Sequence, residues 1–85
     1  MMTNHVETPT LKQMRERSGK SLKDVAEQMS QLLEKPIPQQ YISVIEFRGT
    51  GMYDYIQAFS EIYRVPMAVV AKAAKPALKN ISKSI

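Results

Sequence analysis

Two adjacent glutamines, Gln39 and Gln40, stand at the start of a predicted helix, and Ser43 and Val44 follow one turn later. A glutamine amide offers a hydrogen-bond donor and an acceptor in one plane, which matches the edge of an adenine in the DNA major groove. A small apolar side chain such as valine can contact a thymine methyl group there. These four residues therefore have the chemistry to read base pairs, although glutamines near a helix start are also ordinary solvated residues.

Residues suited to catalysis or metal binding are few. The chain contains one histidine, no cysteine and three glycines, and neither a phosphate-cradling loop nor a carboxylate pair stands out. Without cysteine, neither a disulfide nor a thiolate metal site can form. We therefore expect no enzymatic activity, no metal site and no cofactor.

The charge of the chain is unevenly distributed. Its 12 lysines and arginines exceed its 8 aspartates and glutamates, which gives a net charge of +4. Residues 1–70 are neutral overall, and the excess is confined to Lys72, Lys75, Lys79 and Lys83. This pattern indicates a basic tail rather than a basic domain. Such a tail either serves solubility or contacts phosphates without regard to sequence.

No segment of the sequence is typical of a membrane-spanning or secreted protein. The longest apolar run, Val65 to Ala71, is far shorter than the ~20 residues of a membrane-spanning helix. The N-terminus lacks a basic segment followed by an apolar run, so we predict no signal peptide. We expect a cytoplasmic protein that does not bind a membrane.

The sequence predicts one small all-α domain, because apolar residues recur at helical spacing and nowhere alternate as in strands. Start and stop signals indicate a flexible leader at 1–8, a domain at 9–75 and a tail at 76–85 that is either a weak helix or disordered. The predicted helices run from 10 to 17 or 18, 21 to about 33, 38 to 47, 53 to about 63 and 67 to about 75. Thr10 and Gln13 fit a capping box at the first start.

A helical wheel divides the third predicted helix into two faces. One face carries Ile42, Ile45 and Glu46, and the other carries Gln40, Ser43, Val44 and Phe47 with Gln39 at its edge. The isoleucines therefore anchor the helix, and the other face points outward. For Phe47 we favour packing against the fourth helix; the alternative is an exposed patch with Val44 that binds a protein.

Three segments resemble the Cro/repressor (Xre-type) helix-turn-helix family: residues 11–19 (LKQMRERSG), 21–26 (SLKDVA) and 41–46 (YISVIE). The resemblance covers roughly residues 10–75. It implies a compact, lambda-repressor-like bundle of five helices, in which the second helix crosses the DNA backbone and the third lies in the major groove. It also implies an ion pair between Arg15 and Glu46. The base-reading residues that it implies are Gln39, Gln40, Ser43 and Val44.

Phosphate contacts are usual at helix and loop ends, and the candidates there are Lys20, Ser21, Lys23, Arg48 and Thr50. The chain departs from the family ahead of the third helix, because eleven residues separate Met29 from Tyr41 where the family has about five. We expect this insertion to lengthen the second helix and the loop that follows it.

The function implied by the resemblance is that of a sequence-specific DNA-binding transcriptional regulator, a repressor of phage, plasmid or other mobile-element type. Because the body is neutral and one reading helix covers few base pairs, we expect a nucleoid-associated homodimer on double-stranded DNA with a palindromic operator. The candidate dimer contact is the fifth helix with Leu78, Ile81 and Ile85 of the tail. Two alternatives use the same fold: a protein-interaction module that does not read DNA, and an antitoxin-type autoregulator.

Overall fold

The computed structural model describes residues 8–75, which form five helices around one core. The helices are α1 (Leu11–Arg17), α2 (Leu22–Leu33), α3 (Gln39–Arg48), α4 (Tyr53–Tyr63) and α5 (Met67–Ala73). No strand occurs between residues 8 and 75, and the prediction of a compact all-α fold is confirmed. The predicted ends of α3 and α5 are in error by one and two residues. Most of the predicted leader and the whole tail, including Leu78, Ile81 and Ile85, lie outside the described residues.

The first two helices begin at reciprocal capping boxes. Thr10 Oγ1 accepts the Gln13 N–H at 3.0 Å, and the Gln13 side chain accepts the Thr10 N–H at 2.9 Å. Ser21 and Asp24 repeat this arrangement at the start of α2, at 3.0 and 2.9 Å. Each box satisfies two backbone N–H groups that would otherwise lack a partner. Because each box needs only residues three positions apart, the sequence locates both starts.

The connector between α2 and α3 is held against α2. The twelve-residue α2 ends at Glu34, which adopts a left-handed conformation with φ of 56°. Ser30 Oγ donates a hydrogen bond to the Ala26 carbonyl at 2.7 Å and accepts the Ile37 N–H at 2.9 Å. The Ile37 side chain is buried in the core. The connector is therefore tied to the last turns of α2.

The core draws apolar side chains from all five helices and from the connector. Its largest fully buried members are Phe59, Met29, Ile42, Val25 and Val70. Helices α3 and α4 pack against α2, and α5 packs against α4. None of the helices described between residues 8 and 75 is long and apolar enough to cross a lipid bilayer.

The buried side of α4 is formed by Tyr55, Ala58, Phe59 and Tyr63, while Ile56 is only partly covered. The Tyr55 ring packs edge-on against the ring of Tyr41 in α3, with 5.6 Å between centroids. This contact joins α3 to α4 at the buried side of α4.

The turn after α3 is attached to the end of α5. Gly49 has φ of 83° and ψ of 177°, a conformation that other residues rarely adopt. Its N–H donates to the Ile45 carbonyl at 2.7 Å, and the Thr50 N–H donates to the Ala74 carbonyl at 2.8 Å. A Cβ on Gly49 would lie 2.6 Å from that Ala74 oxygen. The position therefore requires glycine, and the end of α3 is fixed relative to α5.

Candidate nucleic-acid interface

One side of α3 is open to solvent along its whole length. We call this side the outer face of α3; its residues are Gln39, Gln40, Ser43, Val44, Phe47 and Arg48, and all six are exposed. On the opposite side, Ile42 and Ile45 are buried in the core. Because the connector is tied to α2, it leaves the outer face uncovered. The four residues with base-reading chemistry therefore lie together on one accessible surface.

The expectation that Phe47 packs against the fourth helix is wrong. Its side chain is 88% exposed, and Val44 one turn earlier is 45% exposed. The helix continues through Phe47 to Arg48, so helical geometry keeps Phe47 on the same side as Ser43 and Gln40. The helix ends only at Gly49. The apolar character of Phe47 suggested burial, whereas its position on the wheel predicts the exposure that the structure has.

A nearly buried ion pair joins α1 to α3, as the sequence predicts. Arg15 Nε lies 2.6 Å from Glu46 Oε2, and Arg15 Nη2 donates to Glu46 Oε1 at 3.2 Å. The two side chains are only 12% and 8% exposed. Arg15 Nη1 also donates to the Lys20 carbonyl at 3.2 Å. The hydrogen bond to Glu46 raises the pKa of Arg15, although burial opposes it. The pair fixes the orientation of α3 and neutralises the carboxylate nearest its outer face.

Tyr63 lies beside this ion pair, a neighbour that sequence reasoning missed. Its side chain is buried, and its ring stacks on Phe59 with 5.7 Å between centroids. Within residues 8–75, its hydroxyl has no hydrogen-bond partner. Burial raises the pKa of Tyr63, and the negative charge of Glu46 raises it further. Tyr63 is therefore a neutral phenol at every pH near neutrality.

Three predicted phosphate contacts lie together where α1 leads into α2. Lys23 is exposed and Lys20 is half-buried. Ser21 Oγ accepts the Asp24 N–H at 3.0 Å, so its own O–H hydrogen stays available as a donor. The Asp24 carboxylate accepts the Ser21 N–H, and this hydrogen bond holds the pKa of Asp24 below its ordinary value. The turn thus combines two cations and a hydroxyl with one fixed negative charge.

The other two predicted phosphate contacts lie at the C-terminal end of α3. Arg48 is exposed, and Thr50 is half-buried in the following turn. Thr50 Oγ1 accepts the Met52 N–H at 3.2 Å, which again leaves the hydroxyl hydrogen free to donate. The two groups of candidates therefore precede and follow α3 in the chain.

Lys12 is a cation of this surface that sequence reasoning did not identify. It lines an open depression of about 240 Å³ together with Ser43, Glu46 and Phe47. Lys12 belongs to α1, which the ion pair between Arg15 and Glu46 joins to α3, and it borders the outer face of α3 through this tertiary arrangement. A local sequence pattern carries no signal for such a contact.

Two lysines of the charge excess lie at the end of α5 and directly after it. Lys72 and Lys75 are exposed, and the Lys75 carbonyl group lies about 3 Å from the position that a Cβ on Gly49 would take. The backbone of Lys75 therefore lies beside the turn at the end of α3. Lys79 and Lys83 lie outside the described residues.

The described part of the chain offers little else that suits small-molecule chemistry. Residues 8–75 contain no group of three histidine, cysteine, aspartate or glutamate side chains that could hold a metal ion. An open groove of about 380 Å³ between α2 and α4 is lined by polar and apolar side chains of mixed charge. The groove residues are Lys20, Gln28, Gln31, Leu32, Glu61, Ile62 and Arg64.

Comparisons with protein-family models, with curated proteins and with solved structures found no match to this chain. The outer face of α3 and the charged groups near it are therefore the features of the molecule that bear on its function.

Proposed function

We propose that this chain is a sequence-specific DNA-binding transcriptional regulator that acts as a dimeric repressor of phage, plasmid or other mobile-element type. The observation that carries the proposal is the outer face of α3. It presents Gln39 and Gln40 to solvent, while Ile42 and Ile45 on the other side anchor the helix in the core.

The side chains of this face suit direct readout of bases. Each glutamine can form two hydrogen bonds with an adenine edge, and each such pair supplies ~1–3 kcal/mol of discrimination against other bases. Gln39 and Gln40 occupy the first turn of α3, and the first turn of a reading helix approaches the bases most closely. Ser43 and Val44, one turn later, supply a hydroxyl and an apolar contact for a thymine methyl.

The charges around α3 also favour a polyanion. The outer face contains no carboxylate, and the neighbouring Glu46 is neutralised by Arg15. Lys12 borders the face, Arg48 belongs to it, and Lys23 is exposed in the first turn of α2; these three cations hold phosphates in this proposal. Lys20 and Thr50 are weaker candidates for the same role because they are half-buried, whereas Ser21 is exposed and its hydroxyl hydrogen can donate to a phosphate.

A single copy has few such cations, so useful affinity requires two copies. A dimer on a palindromic operator would place two α3 helices in successive major grooves, about 34–36 Å apart. Occupation of the operator would then block the polymerase sterically. In this proposal α5 and the tail form the dimer contact.

The experiment is a selection of bound duplexes from random-sequence DNA, followed by gel-shift titration over salt. We expect a palindromic consensus and an affinity that falls steeply as salt increases. Gln39→Ala and Gln40→Ala should relax preference at defined adenines and leave nonspecific binding nearly unchanged. Gln57→Ala, which removes an exposed glutamine of α4, is the matched control. Equal weakening on every sequence, or no shift of folded protein at low salt, would refute the proposal.

A protein-interaction module is the second candidate, and the 88% exposure of Phe47 favours it. Exposed aromatic side chains often anchor protein partners. This alternative, which includes an antitoxin-type autoregulator, predicts that Phe47→Ala abolishes capture of a partner protein while DNA selection yields no consensus.

A further inference from the structure

Phe47 is an exposed aromatic ring on the surface proposed to meet DNA. It lies four residues after Ser43 and seven after Gln40, on the same side of α3. Val44, one turn earlier, is the other exposed apolar residue of the outer face. The ring is not needed to fill the core, because it makes no part of the buried cluster. The ring is therefore free to contact a partner outside the described fold.

We propose that Phe47, supported by Val44, is a specificity-determining residue that recognises a thymine methyl group in the major groove. This inference depends on the proposed function, because it assigns a target to a further residue of the same surface. In the major groove, the C5 methyl of thymine is the apolar group that a base pair presents. A phenylalanine ring on a reading helix can contact it, as can smaller apolar side chains.

The surroundings of the ring favour DNA over an apolar protein surface. Phe47 is followed by Arg48 and shares its depression with Lys12, so two cations are its neighbours. The one carboxylate of that depression, Glu46, is held by Arg15. An apolar ring with cations nearby, in a depression without an unpaired carboxylate, is complementary to a methyl group that lies between two phosphate backbones.

The helix geometry predicts where the thymine lies. Seven residues at a rise of 1.5 Å place Phe47 about 10 Å beyond Gln40 along the axis of α3. Base pairs are stacked at about 3.4 Å, so this distance corresponds to about three base pairs. A phenylalanine side chain is also longer than serine or valine and reaches farther from the helix axis. Three base pairs is the span of a helix parallel to the DNA axis, and a tilted helix spans fewer, so the thymine should lie within about three base pairs of the adenine that depends on Gln40.

The experiment replaces single thymines of the selected operator by deoxyuridine, which removes only the methyl group. Binding of the wild-type protein should weaken about fourfold per half-site at the predicted thymine, the factor that corresponds to ~0.8 kcal/mol for one buried methyl-sized group. Phe47→Ala should bind the unmodified operator more weakly and lose its sensitivity to this replacement. Tyr53→Ala, which removes a 65% exposed ring at the start of α4, is the control and should keep the wild-type sensitivity. Circular dichroism of each variant verifies folding.

Three results would overturn the inference. The first is wild-type binding that tolerates deoxyuridine at every thymine, and the second is an undiminished loss in Phe47→Ala. The third is a Phe47→Ala protein that becomes monomeric while its deoxyuridine sensitivity persists, because the ring would then belong to an interface between copies. In each case the adenine preferences that depend on Gln39 and Gln40 still decide the proposed function separately. A protein that selects no consensus DNA would refute both.

Discussion

Replacement of Gly49 by alanine tests the attachment of α3 to α5. At φ of 83° and ψ of 177°, a residue with a side chain is strained by roughly 1–3 kcal/mol. The new Cβ would also lie 2.6 Å from the Ala74 oxygen, so the two segments must separate. Separation weakens the Thr50–Ala74 hydrogen bond, a loss of about 0.5–1.5 kcal/mol. We therefore expect Gly49→Ala to lower the free energy of unfolding by about 2–4 kcal/mol.

Thermal unfolding followed by circular dichroism measures this loss. For a domain of this size, the expected decrease of Tm is about 10–25 °C. Alanine substitutions at the other two glycines separate the effect of backbone strain from that of the close contact with Ala74. Gly19 has φ of 70° but open space around it, so Gly19→Ala should lose only about 1–2 kcal/mol from backbone strain. Gly51 has neither a positive φ nor a close neighbour, and Gly51→Ala should stay within ~0.5 kcal/mol of wild type. If Gly49→Ala melts no lower than Gly19→Ala, the contact with Ala74 contributes nothing and the reasoning is refuted.

Further predictions concern the ion pair and two titrating groups. Arg15→Met leaves the Glu46 carboxylate nearly buried without its cation, so urea titration should show a loss of about 3 kcal/mol. The double variant with Glu46→Leu should recover most of this loss, and a double variant as unstable as Arg15→Met would contradict the pairing. Tyr63→Phe removes a buried hydroxyl without a partner, so stability at pH 7 should be unchanged or rise by about 1 kcal/mol. Because the folded pKa of Tyr63 is raised, wild type should lose stability as the pH rises above the ordinary tyrosine value of about 10, and the variant should lose less. Urea titrations at pH 8 and pH 11 measure this difference, and equal alkaline losses would count against it. The folded pKa of Asp24 is lowered, so its stabilisation is present above the ordinary aspartate value of about 3.9 and is lost as the pH falls through the folded pKa. Asp24→Asn should therefore show a smaller decrease of Tm on acidification from pH 5 to pH 2 than wild type; an identical decrease would show that Asp24 contributes no such linkage.

Local signals predicted the helices well. The capping boxes at Thr10 and Ser21 depend on partners three residues away, and the sequence displays them directly. The exit of α3 was equally readable, because Gly49 ends the helical pattern. Such features need no knowledge of how the helices pack.

Contacts between helices account for the features that were missed. Tyr55 packs its ring against Tyr41 of α3, and the pKa of Tyr63 in α4 is raised in part by Glu46 of α3. The error on Phe47 has a different origin. We expected this residue to pack inward because its side chain is apolar, although its position on the helical wheel places it on the outer face.

The exposed residues of α3 could be predicted from the sequence, but the residues of other helices that lie next to them could not. The exposure of Gln39, Gln40, Ser43 and Val44 follows from helical periodicity, which the sequence provides. The approach of Lys12 to Phe47 depends on how α1 and α3 are placed in the fold, where the Arg15–Glu46 ion pair joins them. That these residues read DNA stays a prediction.

The hydrogen bond from the Thr50 N–H to the Ala74 carbonyl is sensitive to movement of both segments that it joins. The Ala74 carbonyl, at the end of α5, accepts a hydrogen bond from the Thr50 N–H, which follows α3. Loosening of either segment therefore exposes the Thr50 amide proton to solvent. Hydrogen–deuterium exchange at the Thr50 amide would therefore register a disturbance that begins at either segment, and a ligand that clamps the third helix should slow it.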